Sequence, residues 1–68
     1  MMYYIWSYEH DRWWKPGGCG YTNKLIEAGR FHEETARIKQ LEANYPTSVV
    51  NEVIISEELV KRIQENQI

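Results

Sequence analysis

One cysteine among 68 residues leaves no intrachain disulfide to form, and one cysteine with two histidines does not make a zinc-ligand pattern. The chain therefore lacks both of the staples on which very small domains commonly rely. A chain this short buries only about 60% of the surface that its unfolded form exposes, so oligomerisation is the support left to expect. Long apolar runs are missing as well, since none approaches the roughly 20 residues that a membrane span needs. The opening Met1-Met2-Tyr3-Tyr4 carries neither the charged nor the apolar region of a signal peptide. With the unpaired Cys19, these absences lead us to expect a cytosolic protein, in a reducing compartment. There is no basic surplus either. The formal net charge of −2 argues against a nucleic-acid binder that neutralises many phosphates. Through Arg30 there are four basic against three acidic residues, and from Phe31 onward four against seven, so any weakly basic surface belongs to the first half.

What the chain does have is concentrated in Trp13-Trp14-Lys15-Pro16-Gly17-Gly18-Cys19-Gly20-Tyr21-Thr22. Upstream of it, Tyr3 to Tyr8 is built from Tyr, Ile and Trp, residues that suit a pleated surface, and reads as a first strand. Alternation sets Tyr4, Trp6 and Tyr8 on one face and Tyr3, Ile5 and Ser7 on the other. Glu9-His10-Asp11 is a polar break, and Arg12 to Lys15 resumes strand character, which predicts a β-hairpin. No Asn-Gly or Asp-Gly marks a two-residue turn, so a loop of about three to five residues is expected. Trp13 and Trp14, being neighbours, face opposite ways. One can join the core, and the other needs cover from the chain, a partner or a ligand.

Pro16 ends this strand because it cannot donate to a ladder. Thr22 is placed as the N-cap of a helix of about two turns through Ala28, with Gly29 as its stop. A central helix follows from about His32, with Glu33 and Glu34 in its first turn complementing the macrodipole and Pro46 as a firm stop. Phe31, Ile38, Leu41 and Tyr45 recur at helical spacing with Ala36 near the edge, and this stripe is expected to pack on the hairpin. Val49 to Ile55 is rich in β-branched residues and reads as the third strand. Ser56 then caps a last helix whose acids lie early, whose bases lie late, and whose narrow apolar edge is Leu59, Val60 and Ile63. The order predicts one α+β domain over residues 1–68: an N-terminal hairpin, a short helix, a central helix, a third strand completing a small antiparallel sheet, and a C-terminal helix. The helices are expected on one face of the sheet.

Several local patterns together resemble a group of very small bacteriophage and prophage proteins. They are Ile5-Trp6-Ser7, Glu9-His10, Trp13-Trp14-Lys15-Pro16, Gly20-Tyr21-Thr22, Ala28-Gly29-Arg30-Phe31 and Asn51-Glu52-Val53. The likeness runs from about Tyr3 to Val53. It implies a phage or prophage origin, a bacterial host cell and a small α+β fold, and it transfers no catalytic residue. His32 departs from the group, which more often has Ser or Thr there, and weakens the cap of the central helix.

The residues themselves nominate several sites. The glycine stretch leads toward a helix start, whose free N–H groups attract anions. It is neither a Walker A loop nor a complete Gly-x-Gly-x-x-Gly, since Asn23 stands where the last glycine would be, and its plain interpretation is a tight strand-to-helix turn. Cys19 with His10 or His32 could supply a nucleophile and base, but nothing in the spacing requires it, and a lone cysteine is more often a buried hydrophobe. His10, Asp11, Cys19 and His32 show no metal-ligand spacing, so neither metal nor cofactor is expected. The cluster Tyr4, Trp6, Tyr8, Trp13, Trp14 and Tyr21 is the most informative feature. About half of it should fill the core, and the remainder forms a candidate interface. The candidate binding residues are Trp6, Arg12, Trp14, Lys15, Gly18, Gly20, Tyr21 and Thr22.

Two functions remain open. The first is a non-enzymatic protein that engages a host protein through its aromatic surface, to block a defence or redirect a host enzyme, and that self-associates through its sheet or last helix. The second is an oligomer that binds or sequesters a nucleotide, stacking it on Trp14 and Tyr21 and holding its phosphate with Arg12, Lys15 and the glycine turn.

Overall fold

The computed structural model describes residues 1–45 and 50–65. Strand β1 (Met2–Ser7) is central. One of its edges carries β5 (Glu52–Ser56), from Tyr3 opposite Ser56 to Ser7 opposite Glu52. Its other edge is shared end to end. There β2 (Arg12–Trp14) pairs with Trp6 and Ser7, and β4 (Phe31–His32) pairs with Met2 and Tyr3. Strand β3 (Tyr21–Thr22) adds to β2, so the sheet has five strands, all antiparallel. Helices α1 (Glu33–Asn44) and α2 (Glu57–Glu65) complete an α+β fold.

The expected hairpin is present. Its loop holds the four residues between Ser7 and Arg12, with Asp11 at φ +52°, a left-handed conformation that a short polar side chain tolerates. The Ser7 hydroxyl accepts the His10 backbone N–H at 3.2 Å and helps fix the turn. The alternation holds as well. Tyr4 shares a face with Trp13 and Ile55, while Ile5 shares the other with Trp14, Ile54 and Phe31. Trp13 and Trp14 do face opposite ways, and each is half-buried in a different core.

The helices do not share a face, contrary to the sequence expectation. Ala36 of α1 is fully buried against Ile5 and Phe31, whereas Val60 of α2 packs with Tyr4, Ala28 and Trp13 on the opposite side. The sheet is therefore covered on both sides, which answers how apolar residues on both faces of the hairpin are buried. Ser56 caps α2 as expected, its hydroxyl accepting the Leu59 N–H at 3.1 Å. Arg30 clamps the same helix end with a forked pair to Glu57, the shortest contact being 2.7 Å. Those hydrogen bonds and the Glu57 charge hold the Arg30 guanidinium above its ordinary pKa.

Three further expectations are corrected. The helix expected over 23–28 is a single 3-10 turn at Leu25–Glu27, and Thr22 belongs to β3. The Thr22 hydroxyl accepts the Lys24 N–H at 3.1 Å and donates to Glu27 at 2.8 Å, which satisfies a tight turn and stops helix propagation. The third strand begins at Glu52 rather than Val49; Val50 is exposed and outside any strand, and Val49 and Pro46 lie outside the described residues. Finally, α1 is turned the other way. Phe31 sits in β4 and is buried, but Ile38, Leu41 and Tyr45 are 51%, 70% and 77% exposed.

The reason is the outer edge of β5. Its Ile54 N–H donates to Gln40 Oε1 at 3.0 Å. Asn44 Oδ1 accepts the N–H groups of Asn51 and Glu52 at 2.9 and 3.0 Å, and Asn44 Nδ2 donates to the Glu52 carbonyl at 3.0 Å. Ala36, Gln40 and Asn44 are four residues apart, hence on one helical face, and that face must meet the sheet. His32 at the N-cap makes no side-chain cap bond, so α1 leans on these tertiary contacts. Replacing Asn44→Ala removes three hydrogen bonds and should cost about 1–3 kcal/mol, lowering the thermal midpoint by about 5–15 °C in dilute solution. Leu41→Ala on the exposed side should shift stability by less than about 0.5 kcal/mol. Denaturant titrations of the two variants check both values.

Candidate functional site

The three positive-φ glycines serve a hairpin loop, not a helix entry. Lys15 N–H donates to the Gly20 carbonyl at 2.9 Å and closes the β2–β3 turn, within which Gly17, Gly18 and Gly20 have φ of +72°, +72° and +112°. The Gly18 and Cys19 N–H groups turn back onto the Lys15 and Pro16 carbonyls at 3.0 and 3.5 Å. The stretch holds a single 3-10 turn at Pro16–Gly18 and leads into no α-helix, so the helix start on which an anion site was argued is absent there. Gly29 is held by a different constraint. Its N–H donates to the Trp14 carbonyl at 2.8 Å, and a Cβ would lie 2.9 Å from both the Lys15 carbonyl oxygen and the Phe31 ring.

The eight candidate residues do not converge. Trp6 and Thr22 lie on the α2 side of the sheet, and Thr22 is buried with its hydroxyl already engaged. Arg12, Trp14 and Tyr21 belong to the α1 side. There the Tyr21 ring meets Trp14 edge-on at 6.4 Å and stacks on His10 at 3.9 Å. Trp14 Nε1 is buried without an acceptor among the described residues. Lys15, Gly18 and Gly20 sit in the β2–β3 loop, where Gly18 packs beside the Trp14 ring, 3.8 Å from where its Cβ would be.

An open recess forms around Trp6 on the other face. Trp6 and Trp13 are cross-strand partners on β1 and β2, and their rings meet edge-to-face at 4.9 Å. Tyr4 adds a second edge-on contact to Trp13 at 5.6 Å, which fixes the indole from below. Trp6, Trp13 and Ile55 line the floor of a groove of about 450 Å³. Val60, Ile63 and Gln64 of α2 bound it on one side, Asn23 and Leu25 on the other, with Tyr8 also at its margin. The Asn23–Leu25 wall is set by the 3-10 turn, by the Thr22–Glu27 bond and by Gly29. Mostly apolar, open and floored by edge-to-face indoles, this surface can take up aromatic or aliphatic side chains. Of the expected residues it retains only Trp6. Trp13, Tyr8, Leu25 and Ile63 could have been found from sequence only with the Trp6–Trp13 register in hand, and the turn chemistry left that open.

Nucleophilic chemistry finds little here. Cys19 is exposed rather than buried, the only hydrogen-bond contact of its thiol being the Gly17 carbonyl at 3.9 Å among the described residues. The Ser7 hydroxyl donates to Glu52 Oε1 at 3.0 Å, yet both residues are buried, at 0% and 4% exposure, so the pair is a structural tie between β1 and β5. Among the described residues no three His, Cys, Asp or Glu side chains come together as a metal set, and no helix is long and apolar enough to cross a membrane. No protein-family model, curated protein or solved structure matches the chain.

Gly29→Ala should push the loop off β2, cost about 1–3 kcal/mol and loosen the groove wall. Chemical denaturation and the Trp fluorescence maximum report the two effects. Cys19→Ser should leave stability within about 0.5 kcal/mol of the parent, as befits an exposed side chain.

Proposed function

We propose that this chain is a non-enzymatic binding protein that seats an apolar segment of a partner protein in the Trp6–Trp13 groove. The edge-to-face indole pair flooring an open apolar recess carries the reading. Tryptophans held rigid at the centre of a surface are the residue type that dominates binding energy at protein interfaces, because they bring large area at little entropic cost. The likeness to small phage and prophage proteins makes a host protein in the bacterial cytoplasm the partner, and interference with a host defence or enzyme the consequence. A nucleotide would lack the helix start once expected near Trp14 and Tyr21, since the loop turns two of its N–H groups onto its own carbonyls.

Photo-crosslinking in bacterial cells tests this, with a benzophenone side chain replacing Tyr8 at the groove margin. A discrete adduct with one host protein is expected. Ile63→Glu, which puts a charge on the half-exposed α2 wall, should lower its yield about tenfold or more. Lys15→Ala and Gly18→Asn, the latter a side chain that tolerates the left-handed backbone of Gly18, should leave it unchanged. An adduct indifferent to Ile63→Glu but lost with the loop variants would move the site to the glycine turn and refute the assignment.

A further inference from the structure

The outward face of α1 has no partner among the described residues, and it has the pattern of a helix seam. Ile38, Leu41 and Tyr45 follow one another at spacings of three and four, and all three are more than half exposed. Two-stranded parallel coiled coils use this alternation, with a β-branched residue at the first core position and leucine at the second. Ile38 and Leu41 fill those positions, and Tyr45, the C-cap residue just past the helix, stands at the next. The flanks agree in charge. Arg37 precedes Ile38, Glu42 follows Leu41, and in a parallel pair these are the two positions that meet across the seam. An antiparallel pair would instead set Arg37 toward Arg37 and Glu42 toward Glu42. Among the described residues Arg37 bonds Glu33 one turn back, an exposed pair at 3.0 Å whose exchange for a partner's carboxylate costs little.

We infer that two copies of this chain associate about a two-fold axis parallel to α1, with Ile38, Leu41 and Tyr45 in the seam and Arg37 of each copy paired with Glu42 of the other. This goes beyond the groove, which lies across the sheet on the α2 side and stays open in such a pair. Glu34 occupies the core position before Ile38, so like charges part the helices at their N-terminal ends and the contact centres on Leu41. A seam this short falls below the ~1,200 Å² of standard interfaces, and the dimer should form with a dissociation constant of about 10–100 µM.

Sedimentation equilibrium across that range tests the assignment. The wild-type chain should reach the dimer mass, and Ile38→Lys should stay monomeric with an unchanged circular dichroism spectrum. Arg37→Glu alone and Glu42→Arg alone each place like charges across the seam and should weaken association about tenfold or more. An equimolar mixture of these two single variants regains both opposite-charge pairs and should dimerise as the wild type does. That restoration cannot come from any effect within one chain. A wild-type chain monomeric throughout, or single variants that associate as well as the wild type, would overturn the proposal.

Discussion

Closing the outer edge of β5 is the constraint from which most of this architecture follows. An edge strand presents a row of unpaired N–H and C=O groups, which either recruit another chain or must be covered. Here Gln40 and Asn44 supply the acceptors and one donor, so side-chain amides do the work of a missing strand. Helical geometry then leaves no choice about the rest of α1. With Ala36, Gln40 and Asn44 facing the sheet, Ile38, Leu41 and Tyr45 must face away. The polar side of this helix is its structural side, and its apolar side is available for association.

The other organising fact is the double coverage of β1. Paired on both edges and packed on both faces, its Ile5 is fully buried, and it divides the aromatic residues into two sets. Tyr4, Trp6 and Trp13 serve the α2 side, where the core opens into the groove. Trp14, Tyr21 and Phe31 serve the α1 side, roofed by the helix. The apolar groove and the apolar stripe consequently lie on opposite sides of the sheet. A pair of chains joined along α1 would carry two grooves on its outer sides, an arrangement that raises avidity for any partner presenting two copies of a segment.

Much of the fold was legible in the sequence because period-two and period-3.6 patterns are local. Alternation assigned both faces of β1, adjacency separated Trp13 from Trp14, and Ser56 marked the start of α2. What was not legible depended on partners distant in sequence. Strands of two residues, Tyr21–Thr22 and Phe31–His32, are too short to alternate and form only because β2 and β1 offer free edges. Gly29 looked like a helix stop, yet it is glycine because the Lys15 carbonyl and the Phe31 ring leave no room for a Cβ. An apolar stripe at helical spacing ordinarily marks the buried face, and only the hydrogen-bond demand of β5 reverses that on α1. The site suffered most. Trp6 was among the sequence candidates and lines the groove, but its companions there follow from a register set by a four-residue turn with Asp11 in the left-handed region.

Amide hydrogen exchange at Glu52 and Ile54 is the most direct measurement of whether side chains of α1 close the β5 edge. Both N–H groups point away from β1, toward Asn44 and Gln40. If the edge is closed, they exchange as slowly as the paired amides of β1, opening only when the domain unfolds. Exchange at the rate of free, solvated amides would mean that the edge is open, and the orientation of α1 with its exposed apolar stripe would lose its cause.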